Sequence, residues 1–202
     1  MLDTDHRNQL IASYAHAADV VAGVRRYQLG APTSCPDFTV GGMVDHLVGA
    51  GWRPVALGRG ESPAAAAFPH VDLADAPDQL RQAATEAQAV WSDDARLAAT
   101  VTMPWGETWT GVTVVNMYLA ELAGHTWDLA AATGQLDRLD ARLGSPALEA
   151  AHAMLKPEYR NVMGEGNPFG SEVEAPADAT DWERFAAFMG RQPRASSSAA
   201  TG

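Results

Sequence analysis

Residues 111–133 read GVTVVNMYLAELAGHTWDLAAAT and form the clearest helical stretch of the chain. Thr110 is a suitable N-cap in front of this stretch, and Gly134 can end it in a left-handed conformation. Glu121 and His125 lie one helical turn apart on a face that is otherwise apolar. That face should point into the protein, so Glu121 requires a cation, a proton or hydrogen-bond donors beside it.

Most of the remaining sequence also shows helical periodicity, and the predicted fold is therefore all-α. The segment 99–110 is β-prone around Pro104 and Gly106 and predicts a small hairpin before the helix at 111–133. The segment 58–74 is rich in Gly, Pro and Ala and predicts a long crossover connection. The other predicted helices cover about residues 4–29, 39–57, 75–92, 145–156 and 180–189. Thr39 is the predicted N-cap of the helix at 39–57, Pro77 lies in the first turn of the helix at 75–92, and Pro146 is at the first position of the helix at 145–156. The helix at 180–189 begins with a capping box from Thr180 to Glu183.

Composition and charge exclude several classes of function. Fourteen basic and twenty-five acidic residues give a formal net charge of −11, which opposes binding to nucleic acid. The chain starts without a basic and apolar leader, and no apolar stretch is long enough to span a membrane. We therefore expect a cytoplasmic protein with no nucleic-acid partner and no membrane partner.

Cys35 is the single cysteine, so the chain cannot form an intramolecular disulfide, and no base beside it suggests a catalytic thiol.

His46 changes the interpretation of Glu121 and His125. It lies on the inner side of the helix predicted at 39–57, and with the other two it completes a set of two imidazoles and one carboxylate. Such a set can hold a divalent cation and leave open positions for a substrate. Two simpler interpretations remain open: an exposed Glu–His pair within one helix, and a core histidine satisfied by neighbours. Asp128 follows His125 by three residues and is a candidate to hydrogen-bond a ligand of the metal.

Three segments carry a family resemblance. Residues 35–61, CPDFTVGGMVDHLVGAGWRPVALGRGE, and residues 103–135, MPWGETWTGVTVVNMYLAELAGHTWDLAAATGQ, resemble DinB-like proteins. This superfamily includes the N-terminal domain of mycothiol-dependent maleylpyruvate isomerase. Residues 167–193, NPFGSEVEAPADATDWERFAAFMGRQP, resemble the C-terminal extension of a metal-binding branch of that superfamily. Gly41 and Gly42 depart from the polar start of the second helix that the family pattern leads us to expect.

The resemblance implies a DinB-like four-helix bundle with a long crossover and one bound metal ion, most often zinc and in some members nickel. Carried over by motif, the ligands are His46, Glu121 and His125. On this basis we divide the chain into a metal-binding bundle over residues 1–135, an extension over 136–193 packed on it, and a disordered tail over 194–202.

Three functions follow as hypotheses. The first is a metal-dependent enzyme that uses mycothiol or another small thiol in S-transfer or isomerisation, the metal activating the thiolate. The second is a metal-dependent hydrolase or lyase of small molecules, with Glu121 or Asp128 as the catalytic residue that handles the proton. The third is a non-catalytic metal- or ligand-binding accessory protein. Arg53, Arg59 and Arg160 are the available anchors for a thiol cofactor or a small-molecule substrate, and a homodimer is among the expected assemblies.

Overall fold

The computed structural model describes residues 4–61, 70–103, 105–157, 160 and 170–193. Within these residues the chain forms seven α-helices and one two-stranded antiparallel sheet. In chain order the elements are α1 (Arg7–Ala22), α2 (Val40–Arg59), α3 (Ala76–Trp91), α4 (Asp94–Ala98), β1 (Thr100–Thr102), β2 (Thr108–Thr110), α5 (Gly111–Thr133), α6 (Ala141–Met154) and α7 (Asp181–Phe188).

Four of these helices form a bundle. Helices α1 and α2 each pack against both α3 and α5, so α1 and α2 lie diagonally across the bundle. The diagonal pair also meets, and there the Tyr14 hydroxyl donates to the Gly51 carbonyl at 2.6 Å. A Cβ atom at Gly51 would lie 3.0 Å from the Tyr14 ring, so the glycine permits this close approach. The prediction of an all-α fold built on a four-helix bundle is confirmed.

Helix α1 is shorter than predicted. It ends at Ala22 instead of near Leu29, and residues Arg26–Gln28 form a separate 3₁₀ turn. The side chain of Gln135 accounts for this end, because its Nε2 donates to the Val20 carbonyl at 3.0 Å and so satisfies an acceptor that a continuing helix would have used.

The predicted hairpin is present, with Val101 opposite Trp109 at its centre. A short helix that the sequence did not predict, α4, precedes it. The Asp93 carboxylate accepts from the Ala95 amide at 2.9 Å and caps α4. Asp93 therefore begins a new helix just after α3 ends, a role that its charge alone did not reveal.

Helix α6 begins at Ala141, and the predicted start at Ser145 is wrong. The Asp140 carboxylate accepts from the Arg142 amide at 3.0 Å and caps the helix there. Pro146 then lies inside α6 instead of at its first position, which shows that an aspartate cap determines this start more strongly than a proline does.

The C-terminal helices pack against the bundle and against each other. Helix α6 contacts α5 along its length, and α7 packs mainly on α6. Thr180 and Glu183 form the predicted capping box of α7, and Gly190 follows this helix with a φ of 83°. The division at residue 135 into bundle and extension stays a prediction, and the predicted tail at 194–202 lies outside the described residues. Among the described helices, none has the length and apolar character that crossing a membrane requires.

Candidate metal centre

Helix α2 places His46 inside the bundle. The Thr39 hydroxyl accepts from the Gly42 amide at 3.2 Å and fixes the start of the helix, as predicted. Met43 and Leu47 are fully buried on the same side. This inward face leaves His46 only 6% exposed.

Helix α5 places Glu121 and His125 opposite His46. Leu122 and Leu129 bury the helix in the core on either side of these residues. His125 is buried, whereas the Glu121 side chain keeps 22% of its surface exposed. The centre is therefore closed on the histidine side and partly open at the carboxylate.

The three side chains meet at one point between α2 and α5. His46 Nε2 lies 3.1 Å from Glu121 Oε1, and His125 Nε2 lies 3.6 Å from the same oxygen. The two imidazole rings are 4.5 Å apart and nearly perpendicular, at 81°. One donor atom from each residue lies within 4.8 Å of the other two. The structure thus brings together residues that the sequence places on separate helices.

The donor set fits a divalent cation. Metal–ligand bonds of about 2.0–2.2 Å separate neighbouring donors by roughly 3.0–3.5 Å in tetrahedral or octahedral geometry. The two spacings to Glu121 Oε1, 3.1 and 3.6 Å, are close to that range. Two imidazole nitrogens and one carboxylate oxygen are donors that zinc and nickel accept, and they leave further coordination positions free.

The electrostatics of the centre favour a positive charge between two carboxylates. Burial raises the pKa of Glu121, but the charge of His125 and hydrogen bonds from both histidines outweigh it and hold this pKa well below its ordinary value. Burial lowers the pKa of His125, but Glu121 and Asp128 outweigh it and raise this pKa to about 9. A cation, either the imidazolium itself or a metal ion, is therefore stabilised at this place.

Phe38 covers the centre on one side. Its ring centroid lies 4.6 Å from that of His46 and 6.1 Å from that of His125. Phe38 directly precedes the N-cap of α2, so the start of this helix fixes both the ligand and its apolar cover. Phe38 was not among the predicted site residues, although its place beside Thr39 was a usable signal.

Asp128 lies behind His125, as its spacing suggested, and has a partner that the sequence did not predict. Asp128 Oδ2 lies 3.2 Å from His125 Nδ1. Arg191, beyond the end of α7, donates from Nε to Asp128 Oδ1 at 3.1 Å and from Nη2 to Oδ2 at 2.8 Å. Burial raises the pKa of Asp128, but hydrogen bonds from His125 and Arg191 outweigh it and lower this pKa. No spacing rule links Arg191 to Asp128, because 63 residues separate them.

The three candidate anchors are Arg53, Arg59 and Arg160, and Arg53 is the one that lies near the centre. Arg53 is half-buried two turns beyond His46 on α2, and its charge acts on the phenol of Tyr118. Arg59 pairs with Glu86 and lies about 20 Å beyond His46 along the helix axis. The roles of these arginines as anchors for a cofactor or substrate stay predictions.

Two contacts within the C-terminal region engage Arg160. It donates to the Gly170 carbonyl at 2.9 Å and covers the Phe188 ring at 4.5 Å. These contacts support the fold of this region.

His16 and Cys35 do not join the ligand set. His16 Nε2 accepts from the Asp140 amide at 3.4 Å and faces Trp182, so it lies between α1 and the C-terminal helices. Cys35 is 2% exposed, and burial raises the pKa of its thiol. A buried thiol with a raised pKa is a poor nucleophile, as the sequence suggested.

Comparisons with known proteins agree with this architecture. The family model described as the mycothiol maleylpyruvate isomerase N-terminal domain matches residues 12–130, which is more than half of the chain and includes α2 and most of α5. No solved structure matches the chain significantly.

Two relatives from Mycobacterium tuberculosis also match, and each carries the name uncharacterized protein: MT0763 of strain CDC 1551 / Oshkosh and Rv0738 of strain ATCC 25618 / H37Rv. Each is 34% identical to this chain over 181 residues, which cover 88% of this chain and 92% of the relative. The match therefore extends beyond the bundle into the C-terminal region. With its DinB-like bundle and the match over residues 12–130, the chain belongs to the mycothiol maleylpyruvate isomerase N-terminal domain family.

Proposed function

We propose that the protein binds one divalent metal ion through His46 Nε2, Glu121 Oε1 and His125 Nε2 and uses it in thiol-dependent S-transfer or isomerisation of a small molecule. The observation that carries this proposal is the convergence of three donor atoms within 4.8 Å inside the bundle. Membership of a family described by mycothiol and maleylpyruvate isomerase supports the choice of thiol and reaction.

Zinc is the metal we expect, with nickel second. Two neutral imidazoles and one carboxylate leave a net positive charge on a divalent ion and keep positions open for an exogenous ligand. A bound zinc ion would lower the pKa of a coordinated thiol, so that the thiolate exists at neutral pH.

The protein has no thiol of its own suited to this chemistry. Cys35 is the single cysteine, it is buried, and burial raises the pKa of its side chain. A sulfur nucleophile at the centre therefore has to come from a small molecule, which favours a thiol cofactor such as mycothiol.

Residues around the ligands define how a substrate would approach. Phe38 covers both imidazoles and excludes water from that side. The exposed edge of Glu121 marks the open side. Arg53 lies near Tyr118, three residues before Glu121 on α5, and its charge is suited to hold a carboxylate of an anionic substrate or thiol. Burial raises the pKa of Tyr118, so its phenol stays protonated and can donate a hydrogen bond.

Asp128 is better suited to position His125 than to transfer a proton. It is fully buried, and both of its carboxylate oxygens accept hydrogen bonds from Arg191. The contacts thus weaken the version of the hydrolase hypothesis in which Asp128 handles the proton. Hydrolysis that is independent of thiol, and ligand binding without turnover, remain as alternative outcomes of the test.

The test combines metal analysis with turnover. Purified protein is analysed for zinc and nickel and then assayed with maleylpyruvate and related unsaturated acids, with and without mycothiol. The variant His46→Ala removes a ligand. The variant His70→Ala is the matched control, because the His70 side chain is 90% exposed and is not one of the three proposed ligands.

We expect metal in the unchanged protein and in His70→Ala, strong loss of metal in His46→Ala, and turnover that requires both metal and thiol. Turnover without thiol would favour the hydrolase hypothesis. Metal binding without any turnover would favour the accessory protein. Equal metal content and equal turnover in His46→Ala would contradict the proposal.

A further inference from the structure

The C-terminal region reaches the metal centre through one buried arginine. Arg191 is 6% exposed and makes a two-pronged pair with the fully buried Asp128, at 3.1 and 2.8 Å. The same carboxylate lies 3.2 Å from His125 Nδ1. We propose that Arg191 is a positioning residue that acts through Asp128 to orient His125 toward the metal. This inference rests on the proposed function, since it concerns a ligand of the proposed ion.

The backbone at the end of α7 holds Arg191 in place. The Arg191 amide donates to the Ala186 carbonyl at 2.8 Å, and Nη1 donates to the Met189 carbonyl at 2.9 Å. Gly190 has a φ of 83°, a conformation that side chains other than glycine rarely adopt, and it turns the chain back just before Arg191.

Helix α7 is itself anchored on α5 close to the centre. A Cβ atom at Gly124 would contact Met189 at 3.7 Å and Phe185 at 3.8 Å, so α7 lies directly against the turn of α5 that precedes His125. Phe185 is fully buried at this contact. The guanidinium therefore approaches Asp128 from a packed helix end and not from a free loop.

The two-pronged pair fixes Asp128 in a way that a single hydrogen bond would not. A carboxylate rotates freely unless both oxygens are held, and the planar guanidinium holds both. It also neutralises a charge that is completely shielded from solvent. Asp128 is thereby kept ionised and in one plane.

An ionised, oriented Asp128 decides which nitrogen of His125 can bind a metal. The carboxylate has only acceptors, so the nearby Nδ1 of the neutral ring has to carry the hydrogen. The lone pair is then on Nε2, the atom that lies 3.6 Å from Glu121 Oε1 at the centre. Without Arg191, the ring would lose this fixed orientation and part of its affinity for the metal.

The experiment measures zinc affinity by competition with a chromophoric chelator, on protein shown to be folded by circular dichroism. Arg191→Lys keeps the charge and removes the planar fork. Arg184→Lys is the matched control, because Arg184 lies on α7, just before Arg191 in the chain, and makes a half-exposed pair with Asp181 at 3.1 Å. Asp128→Asn and the double variant Asp128→Asn/Arg191→Lys complete a mutant cycle.

We expect Arg191→Lys to raise the Kd for zinc about tenfold, within the range for partners of metal ligands, and Arg184→Lys to leave it unchanged. Because Arg191 acts through Asp128, Arg191→Lys should add nothing in the Asp128→Asn background. If Arg191→Lys does not fold, Asp128→Asn/Arg191→Met removes the charge pair as a unit, and its Kd should equal that of Asp128→Asn.

Three results would overturn the inference. The first is a folded Arg191→Lys protein with the Kd of the control, which would leave Arg191 a purely structural role. The second is that Arg191→Lys raises the Kd for zinc by the same factor in the unchanged protein and in the Asp128→Asn background. For Asp128→Asn/Arg191→Met, the corresponding result is a Kd for zinc different from that of Asp128→Asn. The third is absence of zinc binding by the unchanged protein, which contradicts the proposed function itself and the inference with it.

Discussion

Helix α5 carries two buried polar clusters that differ in one decisive respect. In the first, His6 Nδ1 lies 3.0 Å from Asn116 Oδ1, and His6 Nε2 lies 3.4 Å from Glu149. In the second, the candidate metal centre, Glu121 lies beside two imidazoles, those of His46 and His125, at 3.1 and 3.6 Å. Both clusters join a buried histidine to a carboxylate, yet only the second offers three donors to a single point.

The exposure of the carboxylates explains the difference. The side chain of Glu149 is 55% exposed and is solvated, whereas that of Glu121 is 22% exposed. In the first cluster the amide oxygen of Asn116 and the solvated Glu149 satisfy the single imidazole of His6 without an ion. A buried histidine near an acid is therefore weak evidence for a metal site, and convergence of several donors is strong evidence.

Removal of a carboxylate should separate the two clusters most clearly. Glu121→Ala removes one of three protein ligands, so it should cost about a third of a binding free energy of roughly 10 kcal/mol. This loss corresponds to a decrease in zinc affinity on the order of 300-fold. Glu149→Ala should not change it. The measurement is a zinc competition titration, and equal effects of the two substitutions would remove the distinction between the clusters.

Loss of the buried arginine should be the next largest effect, measured as stability. Arg191→Met leaves Asp128 without its guanidinium and should lower the free energy of unfolding by about 3 kcal/mol. Glu149→Gln changes a half-exposed carboxylate that contacts His6 and Ser145, and it should cost at most about 1 kcal/mol. Urea unfolding measures both, and a cost below about 1 kcal/mol for Arg191→Met would show that His125 alone suffices to stabilise Asp128.

The first cluster can be broken without touching the metal centre. Asn116→Ala removes the acceptor near His6 Nδ1 and the donor to the Thr4 carbonyl, so it should destabilise the fold by about 1–3 kcal/mol. The Kd for zinc should stay at its original value. A combined measurement of urea unfolding and zinc affinity checks this, and a weakened zinc site would show that the clusters are coupled along α5.

The smallest expected effect on stability concerns His16, a histidine that belongs to neither cluster. Burial lowers its pKa below the ordinary value of 6.5, so the folded state favours the neutral ring. Its contribution to stability is therefore fully present above about pH 6.5 and is lost as the pH falls through the lower folded pKa.

His16→Gln keeps an acceptor for the Asp140 amide but does not titrate. Its urea midpoint should fall less than that of the unchanged protein between about pH 7.5 and about pH 5. Parallel midpoints over this interval would show that His16 does not contribute to the acid sensitivity.

Local signals made most of the bundle predictable. Thr39, Thr110 and Thr180 were recognised as N-caps from residue type and position, and all three side chains accept the expected backbone hydrogen bond. The errors occur where two local signals competed or where a distant side chain intervened. At α6 the Asp140 cap prevailed over Pro146, and at the end of α1 the side chain of Gln135, which follows α5, donates to the Val20 carbonyl.

The candidate site was partly predictable for the same reason. Glu121 and His125 share one helical turn, and the spacing on α5 placed them together without knowledge of the fold. His46 required the family motif, since 75 residues separate it from Glu121. The role of Arg59 as an anchor stays a prediction, and the length of α2 separates this residue from His46 by about 20 Å along the helix axis.

By itself the sequence determined the helices, their inward faces and the two acid and imidazole groups on α5, because these depend on contacts within a few residues along the chain. Only the tertiary structure decided that His46 meets them, that Phe38 covers them and that Arg191 holds Asp128 from behind. The physical reason is that a buried charge has to be satisfied by whatever residue the packing of distant helices brings within hydrogen-bond distance, and no local pattern records that residue.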